Sequence, residues 1–163
     1  MAEFDMISIV TDGPVATLSL NRPEVRNAMN PVMIREITAA FSEFNTSDTI
    51  RVIVLRGEGG IFCAGGDLNW MRDVLGQSEQ EVIDDSRYLL NMYKSINDSP
   101  KLVIAAVEGA AIAGALGIIS CADIIIAEAN TKFCISEVKI GLVPGIIAAV
   151  GAAVAFAIAF AAR

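Results

Sequence analysis

Twice in this chain a short, wholly apolar run ends in a glycine-rich turn and gives way to a helical pattern. That repeat constrains the fold more than any other feature. Val52-Ile53-Val54-Leu55 runs into Arg56-Gly57-Glu58-Gly59-Gly60, and Leu102 to Ala106 runs into the small-residue stretch between Gly109 and Gly117. Strands without a polar side are the kind covered on both faces of a parallel sheet. A grammar of strand, turn, helix and strand implies right-handed crossovers. The fold class is therefore α/β with a mainly parallel sheet.

The flanking segments fit this frame. Residues 6–10 and 15–20 alternate and are rich in β-branched side chains, and the turn-forming cluster Thr11-Asp12-Gly13-Pro14 between them predicts a hairpin. Asn30 and Pro31 supply an N-cap and a first-turn proline for a helix whose apolar stripe is Met33, Ile37, Ala40 and Phe41. Asp67 can cap a second helix beginning near Leu68, and a longer amphipathic helix runs from about Ser78 to Ile96. A small-residue helix follows the second glycine-rich turn as far as about Cys121, and Asp123 to Ala127 reads as a further strand.

Composition removes whole classes of chemistry. There is no histidine among the 163 residues, so nucleophile systems built on an imidazole and histidine-ligated metal sites cannot be made within the chain. A net charge of −7 without a basic cluster lacks the footprint that nucleic-acid backbones require, and no nucleic-acid partner is expected. Cys63, Cys121 and Cys134 are odd in number and show no CxxC spacing. Neither a disulfide framework nor a metal site is expected from them, and they read as reduced thiols. The opening segment, Met1 to Val10, carries acids where a leader would be basic, so the sequence predicts a cytoplasmic protein.

Two features carry candidate chemistry, each beside a plainer reading. The turns Phe62-Cys63-Ala64-Gly65-Gly66-Asp67 and Gly109 to Gly117 lack bulky side chains and lead into helices, where exposed N–H groups can meet an anion. Tight packing explains either turn alone, whereas two together suggest the paired amides of an oxyanion hole. Glu137, hemmed in by Ile135 and Val138, could serve as a general acid or base, or could sit on the surface beside Lys139. Cys63 reads as a small buried thiol. Trp70 and Met71 belong either to the core or to the wall of a pocket.

Four ordered strings point further: Asn21-Arg22-Pro23-Glu24 with Asn27-Ala28-Met29, Phe62 to Leu68, Val103 to Ala111, and Phe133 to Gly145. Together they resemble the crotonase, or enoyl-CoA hydratase/isomerase, family. The resemblance implies a spiral of ββα units over residues 1–145, with the family's C-terminal helical part missing. It places the two oxyanion amides at Gly66 and Gly114 and the catalytic acid/base at Glu137. The loop from Arg22 to Ala28 and the backbone from Ala64 to Asp67 would embrace the coenzyme A nucleotide, with Arg26 as a phosphate contact. Ala28, Leu68 and Trp70 would join Ala64 and Asp67 in lining the substrate. The implied activity is addition of water to an α,β-unsaturated acyl-CoA, by a homotrimer or a dimer of trimers, with coenzyme A entering only as part of the substrate and no separate cofactor.

Three departures qualify that implication. The first acid of ordinary hydratases would fall at Gly117, which leaves a vacant position. The second turn is bulkier than the family's, reading Ala113-Gly114-Ala115. The combination of Asp67-Leu68-Asn69-Trp70-Met71, Gly117 and Phe133 to Val138 resembles methylglutaconyl-CoA hydratases, which makes 3-methylglutaconyl-CoA the expected substrate. A Δ3,Δ2-enoyl-CoA isomerase and a non-catalytic acyl-CoA-binding scaffold are the alternatives. Finally, of the 12 basic and 19 acidic residues all but Arg163 lie in positions 1–139. The apolar, Ala-rich segment 146–163 is expected to begin the C-terminal helical region as a soluble helix and not to span a membrane.

Overall fold

The computed structural model of the protein describes residues 4–141 and residue 143. Strands β1 (Ile7–Asp12) and β2 (Val15–Leu20) form the expected hairpin, with Ile7 opposite Leu20 and Asp12 opposite Val15. Helix α1 (Pro31–Thr46) starts where the Asn30 side chain accepts the Met33 N–H at 2.9 Å. Its stripe of Met33, Ile37, Ala40 and Phe41 is buried as the spacing predicts. Strand β3 (Val52–Gly57) follows, then the six-residue α2 (Leu68–Asp73). Helix α3 (Glu79–Asn97) opens on a reciprocal capping box between Ser78 and Glu81. The chain continues as β4 (Leu102–Val107), β5 (Ala110–Ile112), α4 (Gly114–Ser120), β6 (Ile124–Ala127) and β7 (Lys132–Cys134).

Five strands form one sheet in the order β1-β2-β3-β4-β6, and all its pairs except the hairpin are parallel. A second, two-stranded parallel sheet pairs β5 with β7. The mixed α/β architecture and mostly parallel sheet are those expected from the strand–turn–helix grammar. Asp123 lies just outside its strand and does a different job. Its carboxylate accepts the Val103 N–H at 2.8 Å while its own N–H donates to the Val103 carbonyl at 2.9 Å, which locks the start of β6 beside β4.

The expectation of strands covered on both faces needs correction. Ile53 and Leu55 of β3, and Val103, Ala105 and Val107 of β4, join the core that α1 and α3 fill with Met33, Ile37, Phe41, Met92 and Ile96. The alternate residues Val52, Val54 and Ile104 are only half-buried, and Ile124 and Ile126 of β6 stand 43% and 60% exposed. An apolar run shows that a strand can be buried, but which face is covered depends on where the long helices pack, and here they share one face.

Among the described residues no helix is long and apolar enough to cross a membrane. The segment 146–163, expected as a helix, lies outside the described residues.

Candidate active site

The first turn is built from polar bonds. A single 3-10 turn, Pro23–Val25, ends in two consecutive left-handed residues, Arg26 and Asn27, both at φ +55°. Non-glycine residues hold that conformation at a cost of about 1–3 kcal/mol, so something must over-determine it. Asn27 does so. Fully buried, it donates from Nδ2 to the carbonyls of Glu58 and Ile61, each at 2.8 Å, and accepts the Arg22 N–H at 2.8 Å. Arg22 reaches in the other direction, donating from Nη1 to the Ala28 carbonyl and to Asp67 Oδ2 at 2.9 Å. The other Asp67 oxygen accepts the Asn69 N–H and so caps α2.

This lacing lays residues 63–67 between two neighbours. On one side Ala64 N–H donates to the Arg26 carbonyl, Met29 N–H to that of Gly65, and Asp67 N–H to that of Met29. On the other, Cys63 N–H donates to the Ala110 carbonyl and Ile112 N–H to that of Cys63. Gly65 must be glycine, because its φ is +97° and a Cβ would lie 3.0 Å from the Ile112 carbonyl oxygen.

Contact, more than hydrogen bonding, holds the second turn. Ala113 sits at φ +50°, ψ −121°, its N–H donating to the Cys134 carbonyl at 2.8 Å and its carbonyl accepting the Leu116 N–H at 2.8 Å. A Cβ on Gly114 would lie 2.7 Å from Met29 Cε. One on Gly117 would lie 2.6 Å from Cζ of Tyr93 and 2.8 Å from its hydroxyl. The position that reads as vacant is therefore not vacant. The ring of Tyr93, on α3, fills the room, and its hydroxyl donates to the Gly114 carbonyl at 2.9 Å. In sequence Tyr93 reads as one more residue of an apolar helix stripe, and nothing in the string marks it as facing the second turn.

The two turns touch through Gly65, Ile112 and Ala113. Among the described residues, neither the Gly66 nor the Gly114 N–H finds a backbone or side-chain acceptor. Glu137 opens a short 3-10 turn just after β7, three residues beyond the Cys134 carbonyl that anchors Ala113. Its Oε2 is buried without a hydrogen-bond partner among the described residues. Burial pushes the Tyr93 phenol far up from its ordinary pKa, and the negative charge of Glu137 adds to that direction, so the hydroxyl stays protonated and donates. Two backbone donors in the two turns, and one carboxylate oxygen on the segment after β7, thus stand without partners among the described residues.

Other expected site residues stand differently. Arg26 is exposed, and its guanidinium makes no bond within the described residues. Ala28 is buried with its carbonyl held by Arg22, and Ala64 is half-buried beside the Arg26 backbone. Both oxygens of Asp67 are engaged by Arg22 and Asn69. Leu68 is 73% exposed at the start of α2, while Trp70 is half-buried against the core and donates from Nε1 to Asp85 at 3.2 Å. Cys63 is wholly buried, and burial pushes its thiol up to about 12 despite backbone bonds with Gly65 and Met29. A thiol so held is no nucleophile at neutral pH. Asn27, Arg22 and Met29 carry the turns structurally, and in the sequence only the motif strings hinted at them.

The sequence profile of the enoyl-CoA hydratase/isomerase family matches residues 11–161. The chain belongs to that family. Relatives on both sides of the family's name are similar to it. It is 33% identical to an enoyl-CoA hydratase of Alternaria alternata over 133 residues, covering 79% of this chain and 41% of that one. It is 36% identical to the 1,2-epoxyphenylacetyl-CoA isomerase of Escherichia coli over 145 residues, covering 88% and 55%. Among solved structures, an enoyl-CoA hydratase from Shewanella pealeana superposes with a TM-score of 0.88 at 36% identity, over 91% of this chain and 56% of that one. The chain spans about half the length of the family members it matches.

Proposed function

We propose that the full-length protein adds water to an α,β-unsaturated acyl-CoA, with the thioester carbonyl held between the N–H groups of Gly66 and Gly114 and the proton moved by Glu137. The observation that carries this reading is that, among the described residues, both N–H groups lack acceptors and the buried Glu137 Oε2, on the turn that follows β7, lacks a donor. Addition to an enoyl thioester passes through an enolate-like oxygen, and donors already aimed at that oxygen stabilise it without reorganising. The substrate favoured by the motif resemblance is 3-methylglutaconyl-CoA. Arg26, exposed where the loop ends, would meet the coenzyme A phosphates.

With Tyr93 filling the room at Gly117, Glu137 works as the single carboxylate, taking the proton from water and delivering it to the α-carbon. That same filling favours a second reading. One carboxylate suffices to move a proton between the α- and γ-carbons, which is a double-bond isomerisation.

Incubation of the full-length protein with a panel of enoyl-CoA esters in ¹⁸O-labelled water separates the two. Hydration places the label in the product, isomerisation shifts the double bond without label, and bound but unaltered acyl-CoA would leave only a non-catalytic scaffold. In Glu137→Gln, kcat should fall about 10²–10⁴-fold with acyl-CoA binding retained, as for loss of a positioned acid/base. Unchanged turnover would remove Glu137 from the mechanism.

A further inference from the structure

We propose that Tyr93 is a positioning residue of the second turn: its hydroxyl, donating to the Gly114 carbonyl from the room that Gly117 leaves open, restrains the peptide after Gly114 and with it the hinge at Gly114 through which the N–H could turn. The proposal rests on reading Gly114 as a donor to the thioester oxygen. The Gly114 N–H lies in the plane of the Ala113–Gly114 peptide, and that plane is hinged to the Gly114–Ala115 peptide at a residue with no Cβ to restrict how the two turn against each other. The preceding plane is pinned at the Ala113 carbonyl by the Leu116 N–H at 2.8 Å, and the following plane is held at the Gly114 carbonyl by Tyr93 at 2.9 Å.

Two further observations give the second bond weight. Ala113 is itself in a strained left-handed conformation at φ +50°, so the turn has somewhere more relaxed to go if a restraint is lost. The ring that carries the hydroxyl has no slack either. Three of its atoms lie 2.6–2.8 Å from where a Cβ on Gly117 would be, and the hydroxyl lies 3.3 Å from where one on Gly114 would be. Glycine at 117 and tyrosine at 93 therefore belong together. Any side chain at 117 displaces the ring, and displacing the ring removes the Tyr93 bond and leaves the Gly114 carbonyl to the helical N–H of α4 alone.

The test uses the full-length protein, Tyr93→Phe and Gly117→Ala, with a conjugated aryl-acryloyl-CoA as an optical probe and the most active enoyl-CoA of the panel as substrate. Aimed donors polarise the thioester carbonyl and move the absorption of the bound probe to the red, which mere support of folding does not do. In Tyr93→Phe, which keeps the ring and removes only the hydroxyl, the red shift should shrink. Its kcat should fall about 10–100-fold, less than the roughly 10²–10³ for losing a donor outright, with KM within about threefold. Gly117→Ala should reproduce both effects by pushing the ring, and it decides the matter if Tyr93→Phe does not fold.

A folded variant with unchanged shift and kcat would overturn the role of Tyr93 while leaving Gly66 and Gly114 in place. So would a fall in kcat that only follows a smaller folded fraction, the shift per bound probe staying the same. If the unmodified protein binds the probe with no red shift, the oxyanion reading itself fails and the Tyr93 proposal with it.

Discussion

The Ala64–Asp67 turn and the Ala113–Gly117 turn each offer a backbone N–H without an acceptor among the described residues, but different forces hold them. Around the first, Asn27, Arg22 and Asp67 make charge-assisted and amide hydrogen bonds, and a Cβ on Gly66 would only come into ordinary contact with the Met71 sulfur at 3.5 Å. Around the second, Met29 Cε and the Tyr93 ring press to within 2.6–2.8 Å of where a Cβ would be. The first turn is specified by which atoms bond, the second by which volumes are filled. The first should therefore be sensitive to charge and the second to size.

The sharpest way to break this contrast is to insert the side chain that the family pattern suggests. Gly117→Glu should lose about 3 kcal/mol or more of stability, because overpacking a filled site costs about 1–3 kcal/mol and the carboxyl adds a buried group without a partner. A melting curve unchanged by Gly117→Glu would mean that the Tyr93 ring yields easily. Tyr93 stands where the added side chain would go.

A smaller effect separates the paired glycines. Gly114→Ala should destabilise by about 1 kcal/mol, because Met29, itself buried, must move. Gly66→Ala should be neutral or stabilising by up to about 1 kcal/mol, through the reduced freedom of the unfolded chain. Chemical denaturation of both variants checks the order, and equal losses would erase the distinction between the turns.

The smallest effect is one of pH. Burial alone would push the Asp67 carboxyl up, but hydrogen bonds and charge from Arg22, with the N–H groups of Asn69 and Trp70, outweigh it and hold the group below its ordinary value of 3.8. The native pKa is therefore lower than the unfolded one, so the contribution is present above that ordinary value and is lost as pH falls through the native pKa. Stability measured between pH 7 and pH 2 should fall less steeply in Asp67→Asn than in the unmodified protein. Gly114→Ala should leave that slope alone.

How far these features could be read from residues follows the same division. Asn30, Pro31, Ser78 and Asp67 act within a turn or so of themselves, and the helices they open start where the string says. Glycine-rich turns after apolar runs announced two amide-bearing loops. Tyr93 and Asn27 could not be read this way. Each acts on a partner that only the crossovers bring near: Gly117 for the first, Glu58 and Ile61 for the second. Val54 misled for a related reason, because an apolar run shows that a strand can be buried and not which of its faces the long helices cover.

The crossovers also govern when such a site can exist during folding. Only the hairpin joins strands separated by no more than a turn; Val15 must find Val52, Val52 must find Leu102, and Ile104 must find Ile124 across whole intervening helices. Each closure loses chain entropy before any contact rewards it, which makes assembly of this sheet slow compared with a bundle of local contacts. The first turn needs segments 22–29, 58–67 and 110–112 together, and the second needs α3 docked under α4 and β7 beside β5. A partly folded chain therefore has hairpin and helices but neither amide pair nor carboxylate in place, and recovery of activity on refolding should report the last closure, not the first.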